Sequence, residues 1–393
     1  MFLIATFLCV PASFAQKSKS QIEKEKKESL AKISEVQKIL KETETEKKAS
    51  LGQLQALNKQ IEVRRSLISS ITQQIDLISG EISDLSIVVN ALQSDLGHLK
   101  EEYGQMIYDA YKANQGYSKL TFLFSAQTFN QLFLRLKYLE QYTKAREVQV
   151  EQIEKVRDAL NHQMGVLVVK KDEQDVLLKA KIKENENLIS LKSKQSKVVQ
   201  ELSKREKELQ SEVAETKKAL KRLDDLLAKI IKAEIEKSNA DKNANTINLT
   251  VEMAKVSSAF EGKRNQLPWP VQSGFVSEKF GKHPHPVLKN IWVENQGVDI
   301  QTQKNAQVKA IFEGKVATTA FVPGMNRVVI IQHGDYYTLY AKLKSVNVKK
   351  GQILQANESV GEVFTNSDGI SELQFQVWKN NVKMDPEKWL ANK

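Results

Sequence analysis

From Ile33 to Met106 the chain carries one heptad register without a break. Its second half reads Ile61, Arg64, Ile68, Ile71, Ile75, Ile78, Ile82, Leu85, Val89, Leu92, Leu96, Leu99, Tyr103 and Met106, spaced alternately by three and four, and only Arg64 is not apolar. That spacing keeps a narrow stripe turned toward a partner helix under left-handed supercoiling, so it predicts a coiled coil and not an ordinary globular helix. At 1.5 Å rise per residue the arm is expected to be on the order of 110 Å long. Thr43, Lys47 and Ser50 fall on seam positions and are expected to loosen its first part.

The pattern changes at Asn114-Gln115-Gly116 and gives way to the densest aromatic run of the chain. Gly116 offers a helix stop, and Ser125 or Thr128 can cap a new start. Periodicity then resumes through Ile153, Val156, Leu160, Leu167, Leu188, Leu191, Val198, Leu202 and Leu209. A second long helix returning along the first predicts an antiparallel coiled-coil hairpin over residues 16–212, with its tip near 114–133. At that tip Phe122, Phe124, Phe129, Leu132 and Phe133 admit two readings: they pack the turn, or they form an apolar patch that docks a partner. After Leu209 the register slips. Val213, Thr216, Leu220, Leu223, Leu227 and Ile230 form a fresh stripe, the polar stretch from Ser238 to Asn245 follows, and a short helix is expected over Thr250 to Phe260. Residues 213–262 are read as a helical regulatory arm and linker.

All four Trp and six of the seven Pro fall beyond Leu267, so composition separates a long helical region from a compact, turn-rich domain. The formal net charge of +11 suits nucleic acid, anionic headgroups or an acidic polymer equally well. Compartment decides among them. Met1 to Val10 is almost wholly apolar and Ala12-Ser13-Phe14-Ala15 ends in a small-x-small pattern, which predicts a signal peptide over 1–15, export, and no nucleic-acid partner. Cys9 is the only cysteine and lies inside that segment, so neither a disulfide nor a thiolate metal site is expected in the exported chain.

Leu267-Pro268-Trp269-Pro270 ends helical structure. Short alternating runs such as Arg327–Gln332 and Tyr336–Tyr340 follow, with glycine turns at Gly314, Gly324, Gly334, Gly351 and Gly361, so residues 263–393 predict an all-β domain. Phe280-Gly-Lys-His-Pro-His-Pro, Gly297-Val-Asp-Ile, Val308 to Val316, Val328 to Gly334, Leu339-Tyr-Ala-Lys-Leu343, Val348 to Gln352 and Gly361-Glu-Val stand in the order of the landmarks of LytM-type (M23) peptidoglycan endopeptidase domains, which the segment resembles. Active members of that family hold zinc with a His-x-Gly-x-Asp motif and the second His of a His-x-His motif, assisted by further histidines. On those positions the resemblance places Asn295, Asp299, Glu372, Gln374 and Lys342. Neutral amides are poor zinc ligands, and a catalytic site needs three protein ligands and an open position. A protonated lysine has no lone pair with which to act as a base. His283, His285 and His333 offer no third ligand from a defined place. No catalytic residue, metal or cofactor is expected.

A degenerate LytM domain behind a signal peptide, a coiled-coil hairpin and a helical element resembles the EnvC-like activators of cell-wall amidases. The resemblance implies a periplasmic, non-enzymatic chain whose LytM cleft binds an N-acetylmuramoyl-L-alanine amidase. It further implies that a helix of the chain fills this cleft at rest, and that an FtsEX-type ABC complex acts through the coiled-coil tip. The cleft is expected to comprise Asn295, Gln296, Asp299, Tyr340, Lys342, Glu372, Gln374 and Trp378, a mixture of hydrogen-bonding and aromatic surface suited to an amphipathic helix. The alternatives are a structural protein that binds peptidoglycan and an active zinc metalloendopeptidase. The longer stripe near Leu220 to Ile235 is favoured over Thr250 to Phe260 as the covering helix.

Overall fold

The structure, a computed structural model, describes residues 18–44, 49–114, 119–238 and 250–392. The expected signal peptide with Cys9, and also Lys47, Gly116 and residues 239–245, lie outside the described residues. Helices come first: α1 (Lys19–Glu44), α2 (Leu51–Asn114), α3 (Lys119–Phe124), α4 (Phe129–Lys204), α5 (Glu206–Ser238) and α6 (Val251–Gly262). The strands follow: β1 (Phe275–Glu278), β2 (Gly281–Pro284), β3 (Trp292–Asn295), β4 (Val298–Thr302), β5 (Gln307–Lys309), β6 (Gly314–Val322), β7 (Asn326–His333), β8 (Tyr336–Val346), β9 (Ile353–Leu354), β10 (Ser359–Val363), β11 (Ser371–Lys379) and β12 (Val382–Met384). The chain thus combines a long helical N-terminal region with an all-β antiparallel C-terminal domain. Among the described residues no helix is long and apolar enough to cross a membrane.

The register expected to run unbroken from Ile33 to Met106 is interrupted. α1 ends at Glu44 and α2 starts at Leu51, where the Ser50 hydroxyl accepts from the Gln53 N–H at 3.2 Å. Serine is a better cap than helix interior, so α2 starts afresh at this position.

Contacts divide the chain into two compact units, Met1–Glu25 with Ile68–Glu184 and Lys26–Leu67 with Asn185–Lys393. In the first, α2 and α4 run antiparallel. Ser79 Oγ meets Gln174 Nε2 at 2.7 Å, Glu81 meets Lys170 at 2.8 Å and the Met106 carbonyl accepts from Arg146 at 3.3 Å. Val89, Leu96 and Leu160 form a buried seam against which Leu92, Ile153, Val156 and Leu167 pack. Near the tip, Arg135 donates to the Phe122 carbonyl at 2.5 Å and to Ser125 Oγ at 2.7 Å, with its guanidinium 4.8 Å from the Phe122 ring centre. Phe122 therefore helps hold the turn.

In the second unit the sheet runs β1-β4-β11-β8-β7-β6-β9, with β10 joining β8 to β5 and β12 on β11, all antiparallel; β2 and β3 form a separate hairpin. Strand alternation gives this sheet two chemically different faces. Val298, Ile300, Leu373, Phe375 and Val377 enter the main core. The residues between them, Asp299, Gln301, Glu372, Gln374, Gln376 and Trp378, belong to the other face.

α5 lies on that other face. Ala219, Leu223, Leu227 and Ile231 are buried in one cluster with Val322, Met325, Val328, Ile330, Tyr337, Leu339, Ala341 and Trp378. Arg222 donates to the Pro323 carbonyl at 3.3 Å, and Asp224 pairs with Lys383 at 2.8 Å. Gly324, at φ +87°, leaves no room above it, since a Cβ there would lie 2.6 Å from that of Ala219. α6 does something different. Its Phe260 is fully buried in the main core, with ring centres of His333, Tyr336 and Trp389 at 5.0, 4.9 and 5.0 Å. The folded β unit therefore reaches upstream of residue 263 and includes α6. The base of the helical region also touches the domain: Val36, Ile39, Leu40, Leu54, Leu202 and Leu209 cluster with Phe275 and Leu288. Glu35 and Glu42 of α1 accept from the backbone N–H groups of Gly274 and Lys304, the second at 3.0 Å.

Candidate functional site

The site grows from a kink in β8. Up to Ala341 the strand alternates regularly, placing Tyr337, Leu339 and Ala341 on the α5 side and Tyr336 and Tyr340 in the main core. Lys342 then adopts φ +63°, a left-handed conformation rare for a non-glycine residue. Its N–H donates to the Met325 carbonyl at 2.8 Å and its carbonyl accepts from the Phe364 N–H at 2.9 Å, so the backbone is fixed on both sides. The register with β7 shifts at the same place. The kink carries the Lys342 side chain to Asp299 and Glu372, while Leu343 returns to the main core.

Lys342 Nζ lies 3.0 Å from Asp299 Oδ1 and 2.5 Å from Glu372 Oε2. Ser277 Oγ donates to Glu372 Oε1 at 2.6 Å, and the same oxygen lies 3.1 Å from the Asp299 carbonyl. Burial and the negative charge of Glu372 push the Asp299 carboxyl well up, against the pull of the lysine. Burial also works against ionising Glu372, but the Lys342 ammonium outweighs it and holds that carboxylate down. Burial opposes the Lys342 charge as well, yet the two carboxylates push this ammonium up.

Beside this cluster two amides engage each other. Asn295 Oδ1 accepts from Gln374 Nε2 at 2.9 Å and from the Gly297 N–H at 3.1 Å, and both side chains are buried. The five positions on which an M23 metal centre would depend thus hold two interlocked amides, two carboxylates and an ammonium lying against both carboxylates. This donor set does not fit zinc: the amide oxygen of Asn295 is already committed, and a cation occupies the space the carboxylates face. Among the described residues no three His, Cys, Asp or Glu side chains converge as metal ligands. The three domain histidines hold structure. His283 Nε2 lies 3.0 Å from Glu278 Oε1, and His285 Nδ1 accepts from the N–H groups of Val287 and Leu288 at 3.2 and 3.0 Å. His333 bridges the Glu313 carbonyl at 2.5 Å and Thr338 Oγ1 at 2.8 Å.

Of the expected cleft residues, the structure brings Asn295, Asp299, Lys342, Glu372 and Gln374 together. Trp378 lies further along β11 under α5, only 3 % exposed, with its N–H on Gln376 Oε1 at 2.8 Å and Lys383 over its ring. Gln296 follows Asn295 in the β3–β4 turn, partly exposed. Tyr340 is corrected: it points to the opposite face, fully buried against Phe375, with its hydroxyl accepting from the Ile311 N–H at 3.1 Å. Regular alternation from Leu339 and Ala341 dictates that orientation. Sequence reasoning missed Ser277, which reaches Glu372 across 95 residues and carries no local signal. It also missed the Asp224–Lys383 pair, for which two residues 159 apart gave none.

At the coiled-coil tip Phe124 and Phe129 are 78 % and 84 % exposed and Phe133 is also exposed; Leu132 is half-buried, and Phe122, exposed as well, has the Arg135 guanidinium over its ring. Beside them a cleft of about 1610 Å³ is lined by His98, Met106, Tyr111, Phe122, Tyr142 and Arg146, among others.

Residues 293–386 match Peptidase family M23, within the antiparallel β domain that carries the Lys342 cluster. The chain is 27 % identical over 130 residues to the murein hydrolase activator EnvC of Escherichia coli strain K12, covering 33 % of this chain and 30 % of that protein. It is 28 % identical over 124 residues to the cell division protein DipM of Caulobacter vibrioides, covering 31 % and 19 %. Among solved structures, Helicobacter pylori Csd3 is similar at 26 % identity over 32 % of this chain and 35 % of that one, with a TM-score of 0.28. The alignments span less than a third of these curated relatives' own length.

Proposed function

We propose that this chain is a non-catalytic activator of peptidoglycan amidases in cell division, working in the periplasm. Its degenerate groove takes the place of a substrate cleft and binds an N-acetylmuramoyl-L-alanine amidase through an amphipathic helix. The observation that carries this reading is α5 on the groove face. Four of its side chains are buried over an apolar strip, Val328, Ile330, Leu339, Ala341 and Trp378, beside the cluster in which Lys342 lies against Asp299 and Glu372. A strip that accepts one amphipathic helix can accept another of similar pattern. Because α5 is tethered to the same domain it competes at high effective concentration, so the resting chain is closed and opening needs outside work. An FtsEX-type ABC complex, engaging the exposed tip aromatics Phe124, Phe129 and Phe133, would supply that work. The likeness to proteins named a murein hydrolase activator and a cell division protein supports the same reading.

The test compares a fragment from Thr250 to Lys393, which keeps α6 and omits α5, with the full chain in reactions of purified amidases on dye-labelled peptidoglycan. The fragment is expected to stimulate release of dye and the full chain to do so poorly. Binding of both to peptidoglycan without stimulation would favour a structural wall-binding protein. Zinc-dependent wall cleavage by the chain alone would overturn the non-enzymatic reading.

A further inference from the structure

The contrast between an M23 fold and a donor set that does not fit zinc has a local explanation. We infer that the Lys342 ammonium is the built-in replacement for the metal ion, the counter-charge that lets Asp299 and Glu372 remain together in the groove floor.

Three observations converge on it. The ammonium touches both carboxylates, at 3.0 and 2.5 Å, as a bridging cation does. The side chain reaches them from a left-handed backbone position clamped by Met325 and Phe364, a conformation that costs free energy in a lysine and persists because its surroundings enforce it. The far side of the pair is also built, since Ser277 donates to the Glu372 oxygen that the lysine does not touch. Without a cation, two carboxylates, one 5 % exposed, would face each other at the junction of β4, β8 and β11, where like charges repel strongly. Where an M23 centre holds zinc, the metal balances one aspartate among histidines; here Glu372 adds a second carboxylate, and a covalently attached ammonium balances both and needs no ion from solution. The inference stands apart from the amidase reading, because its readouts are stability and metal response.

All four Trp lie beyond Leu267, so tryptophan fluorescence of the full chain reports melting of this domain. In chelator, Lys342→Met, which keeps most of the aliphatic stem and removes the charge, is expected to lower the domain's Tm by about 10 °C. Mn²⁺, a cation suited to the oxygen donors left behind, is expected to restore much of that loss in Lys342→Met and to leave the wild-type Tm unchanged. The isosteric neutral combination Asp299→Asn, Lys342→Met, Glu372→Gln is expected to recover stability in chelator with no metal response. Recovery by either route supports the inference. A Lys342→Met chain as stable as wild type overturns it, as does wild-type stabilisation by Mn²⁺. Failure of both Mn²⁺ and the neutral combination to restore the variant also overturns it, because the loss would then be one of packing.

Discussion

At the scale of single residues, the groove floor shows how far chemistry alone reads a site. Asn295, Gln374 and Lys342 speak against zinc by donor type, and that much was visible in the sequence. The sequence could not show that the amides bond to each other, a contact between residues 79 apart, or that the lysine bridges both acids, which depends on a left-handed residue in β8 that no local pattern announces. Tyr340 was misplaced for a related reason: a landmark motif gives position along a strand, whereas side-chain facing follows pleat parity. His333 yields a pH prediction. Burial pushes its imidazole down to about 4 from 6.5. A cationic form favoured only in the unfolded chain means the contribution is whole above pH 6.5 and is lost as pH falls toward 4, roughly 3 kcal/mol in all. Urea unfolding followed by tryptophan fluorescence should therefore show a steeper loss for wild type than for His333→Gln between these values. Parallel profiles would remove His333 from the account.

At the scale of elements, helix existence was legible from periodicity, and helix destination was not. The stripe expected on α5 at Leu220, Leu223, Leu227 and Ile230 becomes, at full burial, Ala219, Leu223, Leu227 and Ile231. The difference is a small rotation about the helix axis, which brings Ala219 against Gly324 in the β6–β7 turn. Leu227→Glu, which places a charge in that apolar cluster, is expected to weaken docking by about 3–5 kcal/mol. Trypsin should then cut faster near Lys221 and Arg222, and the full chain should gain amidase-stimulating activity. Unchanged proteolysis would show that α5 is held by something else. α6 presents the opposite case. A short, weakly amphipathic segment, easily read as linker, contributes Phe260 to the main core. A fragment beginning at Leu267 should be less stable toward urea than one beginning at Thr250 by about 3–5 kcal/mol, the cost of removing a buried phenylalanine.

At the scale of the whole molecule, the proposed division of labour separates a tip that receives a signal from a groove that delivers one. Phe124→Asp with Phe129→Asp alters two of the most exposed aromatic residues and leaves the Arg135 contacts at Phe122 in place. The double variant is expected to lose recruitment to the division site, scored by fluorescence microscopy of tagged chain, while its circular dichroism is unchanged. A loss of helical signal would return these side chains to packing. Order along the chain was readable because each region has its own composition; which surfaces meet was not, since contacts such as Asp224 with Lys383 carry no sequence signature. The close approach of Gly324 to Ala219 has a further meaning for a chain of this kind. One methyl group filling one gap behaves as a gain setting. Enlarging residue 219 in steps, from alanine through serine to valine, would wedge α5 progressively from the turn and raise the open fraction by graded factors. The force needed to switch such a protein on would then be adjustable at a single atom's width, without touching either the receiver or the binding surface.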